Sequence, residues 1–221
     1  ASDVYKRQVK IPEGTASPEG DLYLLFFVKE PAENPRALLR KEEKMNNQSN
    51  HIKNLVLSAL CLAIAMFLPF LTGQIQTIGN MLCPMHIPVF LCAYMCGWKW
   101  AAAVGFISPF IRYSAFGMPP LMPIGIGMAF EMLTYGLVAG LLYKALPKKT
   151  VNIYASLIIS MIAGRIVWGI ARLVIAGVVA NQFTWQMFIS GAVLTAVPGI
   201  VLHIVLIPLI VIALRKAKVI D

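Results

Sequence analysis

From Met45 to its last residue the chain carries only two acids, Glu131 and Asp221, against eleven lysines and arginines, and most of what lies between is apolar. Ionised groups this sparse cannot cover the surface of a water-soluble domain, in which about a quarter of residues are charged. Over the whole chain the charged fraction is 13% and the hydrophobic fraction 58%, with a mean hydropathy of +0.73. Residues 1–44 differ: they hold eight bases and eight acids, so the net charge of +9 belongs entirely to residues 45–221. An apolar chain punctuated by bases reads as a polytopic membrane protein. It does not read as a nucleic-acid binder, because no basic stripe with interleaved aromatics stands on a polar background.

The change of character at Met45 divides the chain into an extension, 1–44, and a membrane domain, 45–221. The extension has one short apolar run, Leu22–Val28, followed by no Ala-x-Ala site, so it is neither a span nor a signal peptide. Asp3–Gln8 is similar to the translation of a transposon end, and Lys41-Glu42-Glu43 can be encoded by a purine-rich ribosome-binding site just before Met45. The extension is therefore expected to be disordered or non-native, as translated upstream DNA. Cys61, Cys83, Cys92 and Cys96 lie in apolar surroundings with no metal-knuckle spacing, and read as small buried hydrophobes.

A membrane helix needs about 20 mainly apolar residues. Six candidates follow: Leu55–Leu71, Met85–Cys96, Trp100–Ile111, Ile124–Leu142, Val151–Gly177 and Met187–Leu214. The second and third are short. Lys53, Lys99, Lys144, Lys148, Lys149, Arg215, Lys216 and Lys218 fall in alternate connections, whereas the opposite loops carry only Arg112. That bias puts the basic loops and both termini in the cytoplasm. The expected fold is an all-α integral membrane protein with six transmembrane helices. Small-residue pairs, Ala59-x-x-x-Ala63 and Gly136-x-x-x-Gly140, mark places where helix backbones can approach closely. Pro198 is a candidate kink in the sixth span.

Charges in the hydrocarbon zone are expensive, roughly 2.5–3.5 kcal/mol each at a helix centre on insertion scales, and are kept where they face an interior or a wet cavity. At 1.5 Å per residue, Glu131, Arg165 and His203 lie roughly 16–21 Å from the inner surface. Tyr135 is one helical turn from Glu131. Arg172 follows Arg165 by nearly two turns on the same face, with Trp168 between them. One acid against two arginines, and Arg112 further out, leaves an excess of positive charge that an anionic ligand would balance. Gly199 and His203, with Thr195, form a stripe on span six. Asn80 and His86 belong to a Pro-rich outer loop, and that loop with Arg112–Pro123 reads as an ordered cap over a cavity. The candidate substrate-binding residues are thus Asn80, His86, Arg112, Glu131, Tyr135, Arg165, Trp168, Arg172 and His203; no cofactor or metal site is expected.

Six spans of this size, Ala59-x-x-x-Ala63, the passage Gly79–Pro88 followed by Gly97-Trp98-Lys99, and Phe116-Gly117-Met118-Pro119-Pro120 resemble the substrate-binding S component of an energy-coupling factor (ECF) vitamin importer. The resemblance covers Met45 to the C-terminus. It implies a pocket near the outer face for a vitamin or related micronutrient, and Ala59 and Ala63 facing a transmembrane T subunit. It further implies two cytosolic ATPase subunits that supply energy, a bacterial cytoplasmic membrane, and transport by toppling of the S component. The surplus of arginine favours a substrate with an anionic group, such as pantothenate or niacin.

Two other classes fit the sequence less well. A proton-coupled secondary transporter would use Glu131 as a relay, but internal repeats are not evident. An intramembrane hydrolase would pair Glu131 with His203, yet the chain has no HExxH and no nucleophile elbow. Nor has it a Walker A loop. The chain is expected not to be an enzyme.

Overall fold

The computed structural model describes residues 35–72, 81–147, 149–179, 184–191 and 196–217. The chain divides into two units at Gln48 and Ser49. Every described residue in regular structure is helical. The helices are α1 (Pro35–Phe67), α2 (His86–Met95), α3 (Trp98–Phe116), α4 (Ile126–Ala145), α5 (Thr150–Val179), α6 (Trp185–Ile189) and α7 (Val197–Lys216).

In the first unit, residues 35–48 are helical, with exposed side chains from Arg36 on. Helix α1 thus begins within the expected extension and not at Met45. The local reason is propensity: Ala37, Leu38, Leu39, Arg40, Lys41, Glu42, Glu43 and Lys44 are all strong helix formers, and a helix needs no buried face to start where every residue favours it.

Among the described residues, four segments are long and apolar enough to cross a membrane: Arg36–Leu71, Leu121–Ala145, Thr150–Gly177 and Val197–Lys216. They match the expected first, fourth, fifth and sixth spans. Their outward faces are as apolar as their inward ones. On α5, Ile158, Ile162, Ile166 and Ile170 form an exposed ridge at four-residue spacing, and on α7 Val197, Val201, Val205 and Leu209 form another. A helix in water would be polar there, so this is a multi-pass membrane protein whose outer ridges face lipid.

The other two expected spans are helices that fall short of that measure. Helix α2 has 10 residues and rises about 15 Å, half of a typical hydrocarbon core. Eight of its residues are buried, from His86 to Tyr94 with Leu91 alone half-exposed, so it is enclosed by protein on nearly every side. Gly97 ends it with φ +87°, a left-handed turn for which glycine is suited. Helix α3 is 19 residues long and carries Lys99 and Arg112.

The sixth span is not one helix from Met187. Helix α7 starts at Val197, and Pro198 sits in its first turn. A proline there forfeits no helical hydrogen bond, so Pro198 opens α7 and does not kink it. Thr195, the first member of the expected stripe, lies outside the described residues.

Helices α3 and α4 meet backbone to backbone. A Cβ on Gly136 would sit 2.6 Å from the Ala101 carbonyl carbon, one on Gly140 2.6 Å from Trp98 Cα, and one on Gly105 2.5 Å from the Met132 oxygen. Helix α4 in turn packs against α2 and α5, and α7 contacts α2 and α5. This leaves α2 and the middle of α4 at the centre, with Phe90, Met132 and Tyr135 fully buried.

Candidate functional site

Glu131 lies in the second turn of α4 and is 2% exposed. Its Oε1 receives two donors. Arg165 Nη1 of α5 lies 3.0 Å away, and the Tyr135 hydroxyl, one turn further along α4, donates over 2.6 Å. Glu131 and Arg165 are therefore paired, and the four-residue spacing of Glu131 and Tyr135 puts both on the face that meets α5. Gly164 makes room for that arrangement: a Cβ there would fall 2.2 Å from the Tyr135 ring.

Two histidines close on the same point from other helices. His86, the first residue of α2, is 2% exposed, and its Nε2 lies 3.8 Å from Glu131 Oε1. Its Nδ1 donates to the Cys83 carbonyl at 3.1 Å. His203 of α7 is 3% exposed, and its Nδ1 donates to the Gly199 carbonyl one turn earlier. The two imidazole centroids are 6.1 Å apart. Phe90 stacks on Tyr135 with centroids 5.0 Å apart and lies edge-on to His203 at 6.1 Å. Gly199 lets α7 come in: a Cβ there would be 2.5 Å from the Met81 carbonyl oxygen.

These groups surround a cavity lined among others by Cys83, His86, Phe90, Tyr135, Arg165 and His203. Its volume is about 10 Å³, the room of one water molecule. Four residues chosen from the sequence, His86, Tyr135, Arg165 and His203, line it, and Glu131 anchors two of them. Cys83 and Phe90 also line it, and neither was singled out. Cys83 carries its part through the backbone, by the carbonyl that holds His86, and through Sγ, 4.0 Å from Arg165 Nη2. Its position three residues before His86 was the available signal.

Trp168 and Arg172 stand apart from the cavity lining, further along α5. The Arg172 guanidinium lies 5.9 Å from the Trp168 ring centre. Both pack on Gly127, one turn before Glu131 on α4, where a Cβ would be 3.2 Å from Arg172 Cδ and 3.4 Å from Trp168 Cδ1. Arg165, Trp168 and Arg172 thus share the face of α5 turned to α4, as their spacing implied. Trp168 also stacks on Phe188 of α6 at 6.1 Å.

Arg112 is elsewhere. It is 4% exposed and donates to the Met66 carbonyl over 2.7 Å, at the end of α1. Its guanidinium lies 5.5 Å from the Phe70 ring and 5.3 Å from the Phe116 ring. A cation at the last carbonyls of a helix is favourable, so Arg112 ties α3 to the end of α1 in this structure. Asn80 lies outside the described residues. Ala59 and Ala63 are exposed on α1 beside Leu55, Val56 and Leu60. Among the described residues, no three His, Cys, Asp or Glu side chains are grouped to hold a metal ion.

A family model described as ECF transporter, substrate-specific component, matches residues 53–211, more than two thirds of the chain. No curated protein and no solved structure matches it.

Proposed function

Starting from the chain's membership of the substrate-specific components of ECF transporters, we propose that it is the high-affinity binding subunit of an importer for a vitamin or related micronutrient with an anionic group, pantothenate- or niacin-like. One observation carries the proposal: the buried cluster of Glu131, Arg165 and Tyr135 faces a cavity walled by His86 and His203. A membrane protein retains polar groups at this depth where they do work, since each is costly in hydrocarbon.

The anionic part of the reading is supported by the charge count of the helices. Arg112, Arg165 and Arg172 stand against Glu131, and Arg172 lies beside an indole face that gives a ligand an apolar wall. The substrate-binding set we propose keeps His86, Glu131, Tyr135, Arg165, Trp168, Arg172 and His203, with Asn80 on the preceding segment and Arg112 beside the end of α1. A cavity of about 10 Å³ is far below vitamin size, because ligand pockets run to about 300 Å³ and more. Binding on this reading requires the wall to open.

The energy source is external. A transmembrane T subunit docks on the face of α1 that carries Ala59 and Ala63, and two cytosolic ATPase subunits drive the cycle. Six spans, with both termini in the cytoplasm of a bacterium, follow from the basic residues of alternate loops. A relay role for Glu131 is less well supported, because both groups that touch its Oε1 are donors that hold it in place.

Mass spectrometry of small molecules that co-purify with the full chain tests the proposal. One anionic vitamin, released in about stoichiometric amount, is expected. A cationic ligand such as thiamine would contradict the anionic reading.

A further inference from the structure

The inner cavity is balanced in charge but not in hydrogen bonding. Glu131 and Arg165, 3.0 Å apart, cancel one another. Both imidazoles place Nδ1 against a backbone carbonyl, that of Cys83 for His86 and that of Gly199 for His203. A carbonyl only accepts, so this network assigns the proton of each ring to Nδ1, and a neutral imidazole then presents a bare lone pair at Nε2.

Neither Nε2 has a hydrogen-bond partner among the described residues, although both are buried. Glu131 Oε1, an acceptor as well, lies 3.8 Å from His86 Nε2, beyond hydrogen-bond distance. Arg165 Nε, in contrast, is a buried donor with no hydrogen-bond partner among the described residues. Buried polar atoms are nearly always satisfied, and a ligand that satisfies these recovers what the site otherwise forgoes.

We infer that the inner end of the substrate is uncharged and carries two hydrogen-bond donors, received by His86 Nε2 and His203 Nε2, and one acceptor that meets Arg165 Nε. The inference deepens the proposed function and rests on its reading of the chain as a vitamin-binding subunit. A carboxylate in this place would set its oxygens against two lone pairs and against Glu131, so the acidic end of the molecule points away, toward Arg172. A 1,3-diol and a cyclic ureide share the required chemistry, because each holds two donors close together on an uncharged frame. With centroids 6.1 Å apart the rings meet edge to face, so such a group is seated between them only once the wall opens. The Phe90–Tyr135 stack supplies an apolar wall beside it.

The test is calorimetric titration of the purified full chain in detergent with matched probes. Pantothenate carries a diol and a carboxylate, and biotin a cyclic ureide and a carboxylate. Nicotinate and lipoate are acids without a donor-bearing head. Pantothenol and biotinamide keep the donors and lose the acid. Pantothenate or biotin is expected to bind at least about tenfold more tightly than nicotinate and lipoate, as in sites built to pair buried polar groups. Which of the two binds separates the diol from the ureide. The preference is expected to vanish in His203→Phe and to survive in His203→Gln, which keeps an acceptor.

Nicotinate or lipoate binding as tightly as both donor-headed acids overturns the inference and leaves the anionic-vitamin reading intact. Pantothenol or biotinamide binding as well as its parent acid supports the inference and overturns the anionic reading. Binding by none of the six overturns the inference. The comparison on the unsubstituted chain stands even where a histidine variant fails to fold.

Discussion

Glu131 is buried and pairs with Arg165, which keeps 18% of its side chain exposed, and the asymmetry of such pairs governs what substitution does. Taking away one partner strands the other in a low dielectric, at a cost of about 3–5 kcal/mol. Arg165→Met is therefore expected to lower the unfolding temperature in detergent sharply. The double variant Glu131→Gln with Arg165→Met is expected to regain much of the loss, because no stranded charge remains. Equal melting of the single and double variants would mean that the pair is not coupled. Arg172 makes a separate prediction. Arg172→Ala is expected to weaken ligand binding by a factor of about ten or more, about 1.4 kcal/mol, at nearly unchanged melting temperature. Unchanged affinity by calorimetry would remove the anionic half of the proposal.

Much at this scale was legible because helical spacing is rigid: Glu131 with Tyr135, Gly199 with His203, and Arg165 with Trp168 and Arg172 are offsets of three, four and seven. The Glu131–Arg165 contact was legible because a lone acid among bases has few places to go. What was not legible depends on tertiary approach. The partners of Arg112, a carbonyl at the end of α1 and two aromatic rings, could not be read from its place in the sequence. The part played by the Cys83 carbonyl resides in the backbone and leaves no mark on residue type.

Among the elements, the contact of α3 with α4 is the most demanding. Gly105, Gly136 and Gly140 each face backbone within 2.6 Å of an added Cβ. Overpacking at such a site costs about 1–3 kcal/mol or more, because backbone and not a flexible side chain must move. Gly140→Val is expected to lower the melting temperature and broaden the size-exclusion profile. Gly97→Ala meets no atoms and is strained only by its φ of +87°, so its effect should be smaller. A milder effect at Gly140 than at Gly97 would show that α3 and α4 are not held by close approach.

The long apolar runs that end at Gly, Pro or Lys gave α4 and α5 to within a few residues of their bounds. Helix α2 was harder. Its apolar run was visible, but a buried 10-residue helix and a span cut short look alike in sequence. The start of α1 before Met45 also escaped, since that segment is favoured by propensity and has no hydrophobic face to reveal it.

For the molecule as a whole, the outward ridges of isoleucine, valine and leucine and the centre of polar groups describe a body that presents hydrocarbon to lipid and keeps its chemistry inside. A binding subunit needs a second surface, for its partner. Ala59→Leu and Ala63→Leu are expected to leave ligand affinity unchanged and to reduce uptake in cells that supply the T and ATPase subunits, since bulk there interferes with close helix approach. Loss of affinity in these variants would instead join that face of α1 to the binding site.

The central claim is that this chain binds its substrate alone but moves it only with an energising module. Reconstitution into liposomes tests it directly, with labelled ligand identified from the purified protein. The account predicts tight binding and no accumulation by the chain alone, and ATP-dependent accumulation once the T and ATPase subunits are added. Accumulation by the chain alone, driven by a proton gradient, would contradict it.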